Sequence, residues 1–145
     1  MVSNKNVDRY ALISVYDKTN LSFICKTLYK NNIGIISTGS THKRISELGF
    51  KSYEISKLTN FKEILGGRVK TLHPKIYTSI LHDRNKENHY QTFKQIKFPR
   101  IDFIIVNLYP FEKFTSKNKS ELTSIEMIDI GGVSLLRAGS KNFHS

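Results

Sequence analysis

A single cysteine, Cys25, in a chain of 145 residues leaves no partner for an intramolecular disulfide and excludes a multi-cysteine metal site. No stretch is long and apolar enough to cross a membrane. The first residues, MVSNKNVDRY, lack the apolar segment of a secretion signal. The GxxxxGK(S/T) spacing of a nucleotide-hydrolysing loop is missing, so ATP or GTP hydrolysis has no support. His42, His73, His82, His89 and His144 stand apart from any partner at metal-ligand spacing, and no metal is expected. Acidic side chains are few: 12 Asp and Glu against 23 Lys and Arg, for a formal charge of +11 and a pI near 9.8. Yet the chain has no dense Lys/Arg block. Its lysines are scattered among Asn and Ile, as in NKNVD, YKNNI and SKNKS. That distribution fits a small anionic ligand on a basic background better than a nucleic-acid arm. A cytoplasmic protein with neither a nucleic-acid nor a membrane partner is the simplest expectation.

What is present suits one domain. Hydrophobic residues make up 39% of the chain and aromatics 11%, enough for a real core. No repeat or low-complexity linker interrupts it. YALISVY (10–16), GIIST (34–38), SYEIS (52–56) and IDFIIVNLYPF (101–111) read as strands. LSFICKTLYKNN (21–32) follows the first with helical spacing of Leu21, Ile24, Cys25 and Leu28, which makes Cys25 a core residue. HKRISELG, LTNFKEIL, ENHYQTFKQI, SELTSIEMI and VSLLRAGSKN read as further helices, IYTSILHD as a mixed segment and IDIGG as a loop. Strands alternating with helices predict an α/β fold: a Rossmann-like three-layer sandwich around a mainly parallel sheet. Ligands of such sheets bind beyond the strand C-termini. Ser14 to Lys18, Ser37 to Thr41 and Asn107 to Tyr109 could therefore line one crevice.

Two motifs carry the chemistry. STGST (37–41) joins a strand to a helix, where free backbone N–H groups, hydroxyls and Gly39 suit a phosphate. An ordinary capped turn would use the same residues. GGRVKTLHPKI (66–76) sets Arg68, Lys70, Thr71 and His73 among glycines and a proline, residues that do not belong inside a regular element. Arginine can grip a phosphate bidentately and lysine adds a compact charge; a solvated basic loop is the alternative. Tyr109, Asp129 and Lys141 are unremarkable singly. Near a phosphate site they would make a proton-transfer set.

In order, SVYDKT, STGST, LTNFKEILGGRVKTLHPKI, VNLYPFE and IDIGGVSLLRAGSKN closely resemble the IMP cyclohydrolase domain of the bifunctional AICAR formyltransferase/IMP cyclohydrolase family. The resemblance runs from residue 10 to residue 144 and implies a methylglyoxal synthase-like fold. It also implies ring closure of FAICAR to IMP with loss of water, needing no cofactor and no metal, and a possible homodimer. By the same resemblance Lys70, Tyr109, Asp129 and Lys141 handle protons, with Lys141 the main donor and acceptor. Lys70 and Asn107 would steady the developing oxyanion, and Asp129 and Tyr109 would orient the carboxamide. Binding falls to Ser14, Tyr16, Asp17, Lys18, Thr38, Gly39, Ser40 and Thr41, then to Arg68, Val69, Thr71, Val106, Asn107, Ile130 and Gly131. Three positions depart from the family pattern: Tyr16 and Ser40 replace small residues, and Phe143 replaces a histidine. The family's domain continues past the point matching Ser145, so an incomplete C-terminus and no formyltransferase activity are expected.

Overall fold

A computed structural model describes residues 7–114 and 120–144. Its elements run β1 (Tyr10–Val15), α1 (Leu21–Lys30), β2 (Gly34–Ser37), α2 (Gly39–Glu47), β3 (Tyr53–Glu54), α3 (Ile55–Thr59), α4 (Pro74–Leu81), α5 (Glu87–Gln95), β4 (Ile101–Asn107), α6 (Phe111–Phe114), α7 (Glu121–Glu126) and α8 (Gly131–Lys141). The strands form one parallel sheet in the order β3-β2-β1-β4. The predicted three-layer α/β architecture is what the chain adopts.

β1 is central because its side chains are apolar on both faces. Ala11, Ile13 and Val15 join Leu21, Cys25, Leu28 and Ile45 beneath α1 and α2. Leu12 points the other way, into Ile55, Ile76, Ile80, Leu135 and Ala138 beneath α3, α4 and α8. Alternation along one strand thus feeds two cores, the pattern of a parallel sheet covered on both sides. Cys25 is completely buried, and burial pushes its thiol up to about 11, so it serves as a small core residue. In-register pairing carries Ile13 to Ser37 and Val15 to Asn107, which brings the C-terminal ends of β1, β2 and β4 to one edge.

Four local expectations need correction. LTNFKEIL is not one helix: α3 ends at Thr59 because Asn60 turns left-handed at φ 55°. Thr59 Oγ1 then accepts the Phe61 N–H at 3.3 Å and secures the exit. SYEIS supplies only two strand residues before α3 begins. Pro74 does lie in a regular element, at the first position of α4, where its missing N–H costs nothing. His73 caps that helix, its Nδ1 accepting the Lys75 N–H at 3.2 Å, and IYTSIL continues it to Leu81. Finally, Gly131 and Gly132 open α8 rather than close a loop. The SKNKS motif falls at residues 116–120, mostly outside the described residues.

Candidate functional site

The cavity begins at the helix that follows β2. Backbone N–H groups of a first helical turn have no partner within the helix, and α2 presents that turn as Gly39, Ser40 and Thr41. Behind it the strand ends are tied together. Ser14 Oγ and Thr38 Oγ1 lie 3.2 Å apart. Thr41 Oγ1 accepts the Val15 N–H at 3.3 Å and donates to the Val15 carbonyl at 3.2 Å. Thr41 is 1% exposed, so this hydroxyl serves the scaffold. Thr38 and Ser40 border the cavity.

Residues 64–69 form the facing wall. Ile64 and Val69 exchange two backbone hydrogen bonds, of 3.1 and 3.4 Å, in a tight antiparallel turn. Leu65, Gly66 and Gly67 all take positive φ there, which is why a glycine pair stands at this point. The turn projects Arg68 and Lys70 toward the strand ends. Lys70 Nζ lies 3.3 Å from where a Cβ on Gly39 would sit, so the ammonium reaches the N-terminus of α2. It is held there by Glu63 Oε2 at 2.6 Å. Arg68 pairs with Glu126 of α7. The pairing holds the arginine above and the glutamate below its ordinary range, with the hydrogen bond between them as the main cause.

A second helix N-terminus closes the floor. Asp129 Oδ1 accepts the Gly132 N–H at 2.7 Å. A Cβ on Gly131 would meet Thr71 Oγ1 at 2.9 Å, and one on Gly132 would meet Leu108 at 2.8 Å. The glycines let α8 approach both the turn and β4. At the rim Tyr16 and Tyr109 meet edge to face, 5.4 Å between centroids.

The cavity, open to solvent on one side, measures about 510 Å³. It gathers Ser14, Tyr16, Lys18, Thr38, Ser40, Thr41, Arg68, Lys70, Thr71, Asn107, Tyr109, Asp129, Ile130 and Gly131 from the sequence-derived set. These residues come from strand ends, two helix N-termini and one turn, far apart in sequence.

Other expected residues have different places. Asp17 does not line the cavity: its carboxylate accepts from Thr19 N and Oγ1 at 2.9 and 2.6 Å. Those bonds lower its pKa. Gly39 contributes backbone only, Val69 pairs with Ile64, and Val106 packs against the core. Asn107 is a clamp more than a donor. Its Oδ1 accepts the Tyr16 and Asp17 N–H groups at 2.6 and 3.0 Å, and its Nδ2 donates to the Asp17 carbonyl at 2.8 Å. The oxygen is filled, and one Nδ2 hydrogen is left. Lys18 Nζ is likewise engaged, by the Val15 and Tyr16 carbonyls at 3.2 and 3.1 Å.

Lys141 departs most from expectation. It is exposed at the last position of α8, whose first residue touches the cavity. Ten residues of helix rise separate the two ends by about 15 Å. The neighbouring Asn142 is tied by its Nδ2 to the Ile80 and His82 carbonyls at 2.8 and 3.0 Å, which fixes that end beside α4. The structure therefore does not bring Lys141 to the site. Conversely, Glu63, Ile125, Glu126 and Ile128 line the cavity without having been singled out. Reading LTNFKEIL and SELTSIEMI simply as helices gave no reason to place them at the site. The signal available was charge: Glu63 stands just before the cation-rich stretch of residues 66–75.

The geometry defines a class: a three-layer α/β domain with a polar cavity at the strand C-termini, framed by two helix N-termini. The model of the MGS-like domain matches residues 20–134, and the chain belongs to that family. Among curated proteins, the bifunctional purine biosynthesis protein PurH of Corynebacterium glutamicum (strain R) is 43% identical over 145 residues, covering 100% of this chain and 28% of its own length. PurH of Fusobacterium nucleatum is 49% identical over 133 residues, 92% of this chain and 26% of that protein. The chain thus spans little more than a quarter of the relatives it matches. A solved structure described as ForH superposes with a TM-score of 0.79 at 28% identity, covering 94% of this chain and 70% of that one. The resemblance read from the motifs is borne out at the level of family and fold. No helix among the described residues is long and apolar enough to cross a membrane.

Proposed function

We propose that the cavity binds a purine nucleotide 5′-monophosphate and closes the second ring of FAICAR to give IMP. The observation that carries this reading is the meeting of an anion-accepting end and a proton-handling end in one cavity. Thr38, Ser40 and the first turn of α2, with Lys70 beside it, suit a phosphate. Asp129, Tyr109 and the start of α8 lie along the same wall system and suit a carboxamide and a formamide.

Ring closure joins the carboxamide nitrogen to the formyl carbon. The carboxamide and formamido nitrogens each give up one proton, and the formyl oxygen leaves with both as water. Asp129 is the group to orient the carboxamide and accept its N–H. The Lys70 ammonium stays with the phosphate end, so the proton returned to the leaving oxygen falls to Tyr109 at the rim. Asn107 assists by holding the Tyr16–Asp17 backbone in place. Lys141, outside the cavity, is assigned no step. Formyl transfer is not part of the proposal.

A second reading is a nucleotide-binding domain with little turnover. It is favoured by the distance of Lys141 from the site. One experiment separates the two: the conversion of FAICAR to IMP followed by ultraviolet absorbance, with Asp129→Asn and Lys141→Ala alongside. Turnover lost in Asp129→Asn and kept in Lys141→Ala supports the mechanism above. Turnover lost in Lys141→Ala with IMP affinity unchanged makes Lys141 a participant in the reaction and contradicts the mechanism above. No turnover in a folded chain that binds IMP leaves the second reading.

A further inference from the structure

The cavity is lined by three cations, Lys18, Arg68 and Lys70, and by three carboxylates, Glu63, Glu126 and Asp129. Its formal charge is therefore balanced, although the whole chain carries +11. A phosphate approaching it meets helix N-termini, a lysine held by backbone carbonyls, and in Arg68 and Lys70 two cations already facing carboxylates. One carboxylate differs from the others. Asp129 is fixed by the Gly132 N–H and Glu126 is bound to two nitrogens of Arg68. Glu63 has a single polar contact among the described residues, Lys70 Nζ at 2.6 Å, and its side chain is 55% exposed. It lies in the irregular stretch between α3 and the Ile64–Val69 pairing, where no helix restrains it. The same ammonium lies at the first residue of α2, where an anion is best received.

We infer that Glu63 is a built-in competitor for the ligand's phosphate, and that binding exchanges the Glu63 carboxylate for phosphate at Lys70. This rests on the proposed reading for the identity of the ligand, and on the ion pair itself for the exchange. In the empty state Glu63 keeps Lys70 extended toward α2 and neutralised. A phosphate dianion, held also by the α2 N–H groups and by the Thr38 and Ser40 hydroxyls, offers the ammonium a stronger partner, and the carboxylate swings into solvent. The device makes the site selective. A dianion that also fits the helix N-terminus can displace Glu63, whereas chloride or a lone carboxylate gains too little to do so. It also keeps an exposed cationic turn from collecting anions indiscriminately.

The test is Glu63→Gln, titrated calorimetrically with inorganic phosphate, IMP and inosine at low and at near-physiological salt. Thermal melting confirms that the exposed, nearly isosteric substitution leaves the fold intact. Removing the competitor is expected to tighten phosphate and IMP binding about three- to ten-fold, the scale of a partly exposed ion pair plus relieved repulsion. Inosine, which has no phosphate, should be unaffected. The salt dependence should also steepen in the variant, because binding then adds net charge pairing instead of swapping one anion for another. Equal or weaker phosphate affinity in Glu63→Gln overturns the inference and makes Glu63 a support that orients Lys70. No phosphate binding by either protein also overturns it. Tighter phosphate binding in the variant with no IMP binding by either protein sustains the exchange while sinking the purine reading.

Discussion

The two walls of the cavity are built on opposite principles. The α2 wall is buried and bonded internally: Thr38 is 7% exposed and Thr41 1%, and their hydroxyls tie β1 to β2. What it offers a ligand is mostly backbone N–H, fixed by the sheet. The wall of residues 63–70 is exposed and held by ion pairs, Glu63 with Lys70 and Arg68 with Glu126. What it offers is side-chain charge, already neutralised by neighbours. The contrast teaches where affinity and selectivity reside. A preformed helix N-terminus accepts an anion without rearrangement, whereas an ion-paired cation must first exchange partners.

Reversing charge on the exposed wall should break the comparison most visibly. Lys70→Glu is expected to weaken IMP binding about 100-fold, or about 2.7 kcal/mol, with a melting temperature close to that of the parent chain. Calorimetry beside a thermal melt reads both. The buried wall should respond in the opposite sense. Thr41→Val leaves the Val15 N–H without its hydroxyl partner and its carbonyl with Lys18 alone, and urea unfolding should show a loss of about 1–3 kcal/mol. Equal sensitivity of stability to the two substitutions would erase the distinction.

Acid offers a third probe, because the end of the exposed wall leads into the His73 cap of α4. Burial, then the nearby Lys75, holds His73 below its ordinary value of 6.5. Burial does the same to His82, which stacks on Phe93 at 4.2 Å. Both rings take up protons more readily in the unfolded chain. Their contribution is therefore fully present above the ordinary histidine range and is lost as pH falls through it. Melting temperature should decline between about pH 7 and about pH 5, and His73→Asn, a good cap that does not titrate there, should flatten the slope. A slope unchanged in that variant would assign the effect to His82. The smallest effect belongs to the Arg68–Glu126 pair, exposed on both sides. Arg68→Ala should leave the urea unfolding midpoint close to that of the parent chain.

Much of this was legible in the chain. β1, β2 and β4 announce themselves by β-branched apolar runs, and STGST by its place between a strand and a helix. Thr38, Ser40, Thr41, Arg68, Lys70, Asn107 and Asp129, singled out by strand-end reasoning and family resemblance, line one cavity. Four things were not legible, each for a physical reason. Helical spacing in LTNFKEIL continues past Thr59, but one left-handed residue, Asn60, ends the helix regardless. Glycine pairs signal a break in general. Gly131 and Gly132 instead permit helix contact with Thr71 and Leu108, and only the tertiary neighbours reveal it. Lys141 sits at a motif position associated with proton transfer, yet the length of α8 carries it away from the cavity. Pairwise charge was the last blind spot. Glu63 and Lys70 look like independent surface groups until the 64–69 turn folds them together.

The central claim is that one purine nucleotide spans both walls. The most direct measurement is an amide chemical-shift titration of the isotope-labelled chain with IMP. The account predicts saturable shifts at Gly39, Ser40 and Thr41, at Arg68 to Thr71, and at Gly131 and Gly132, all fitting one dissociation constant. Shifts confined to one wall, or spread over basic surface outside the cavity, would contradict it.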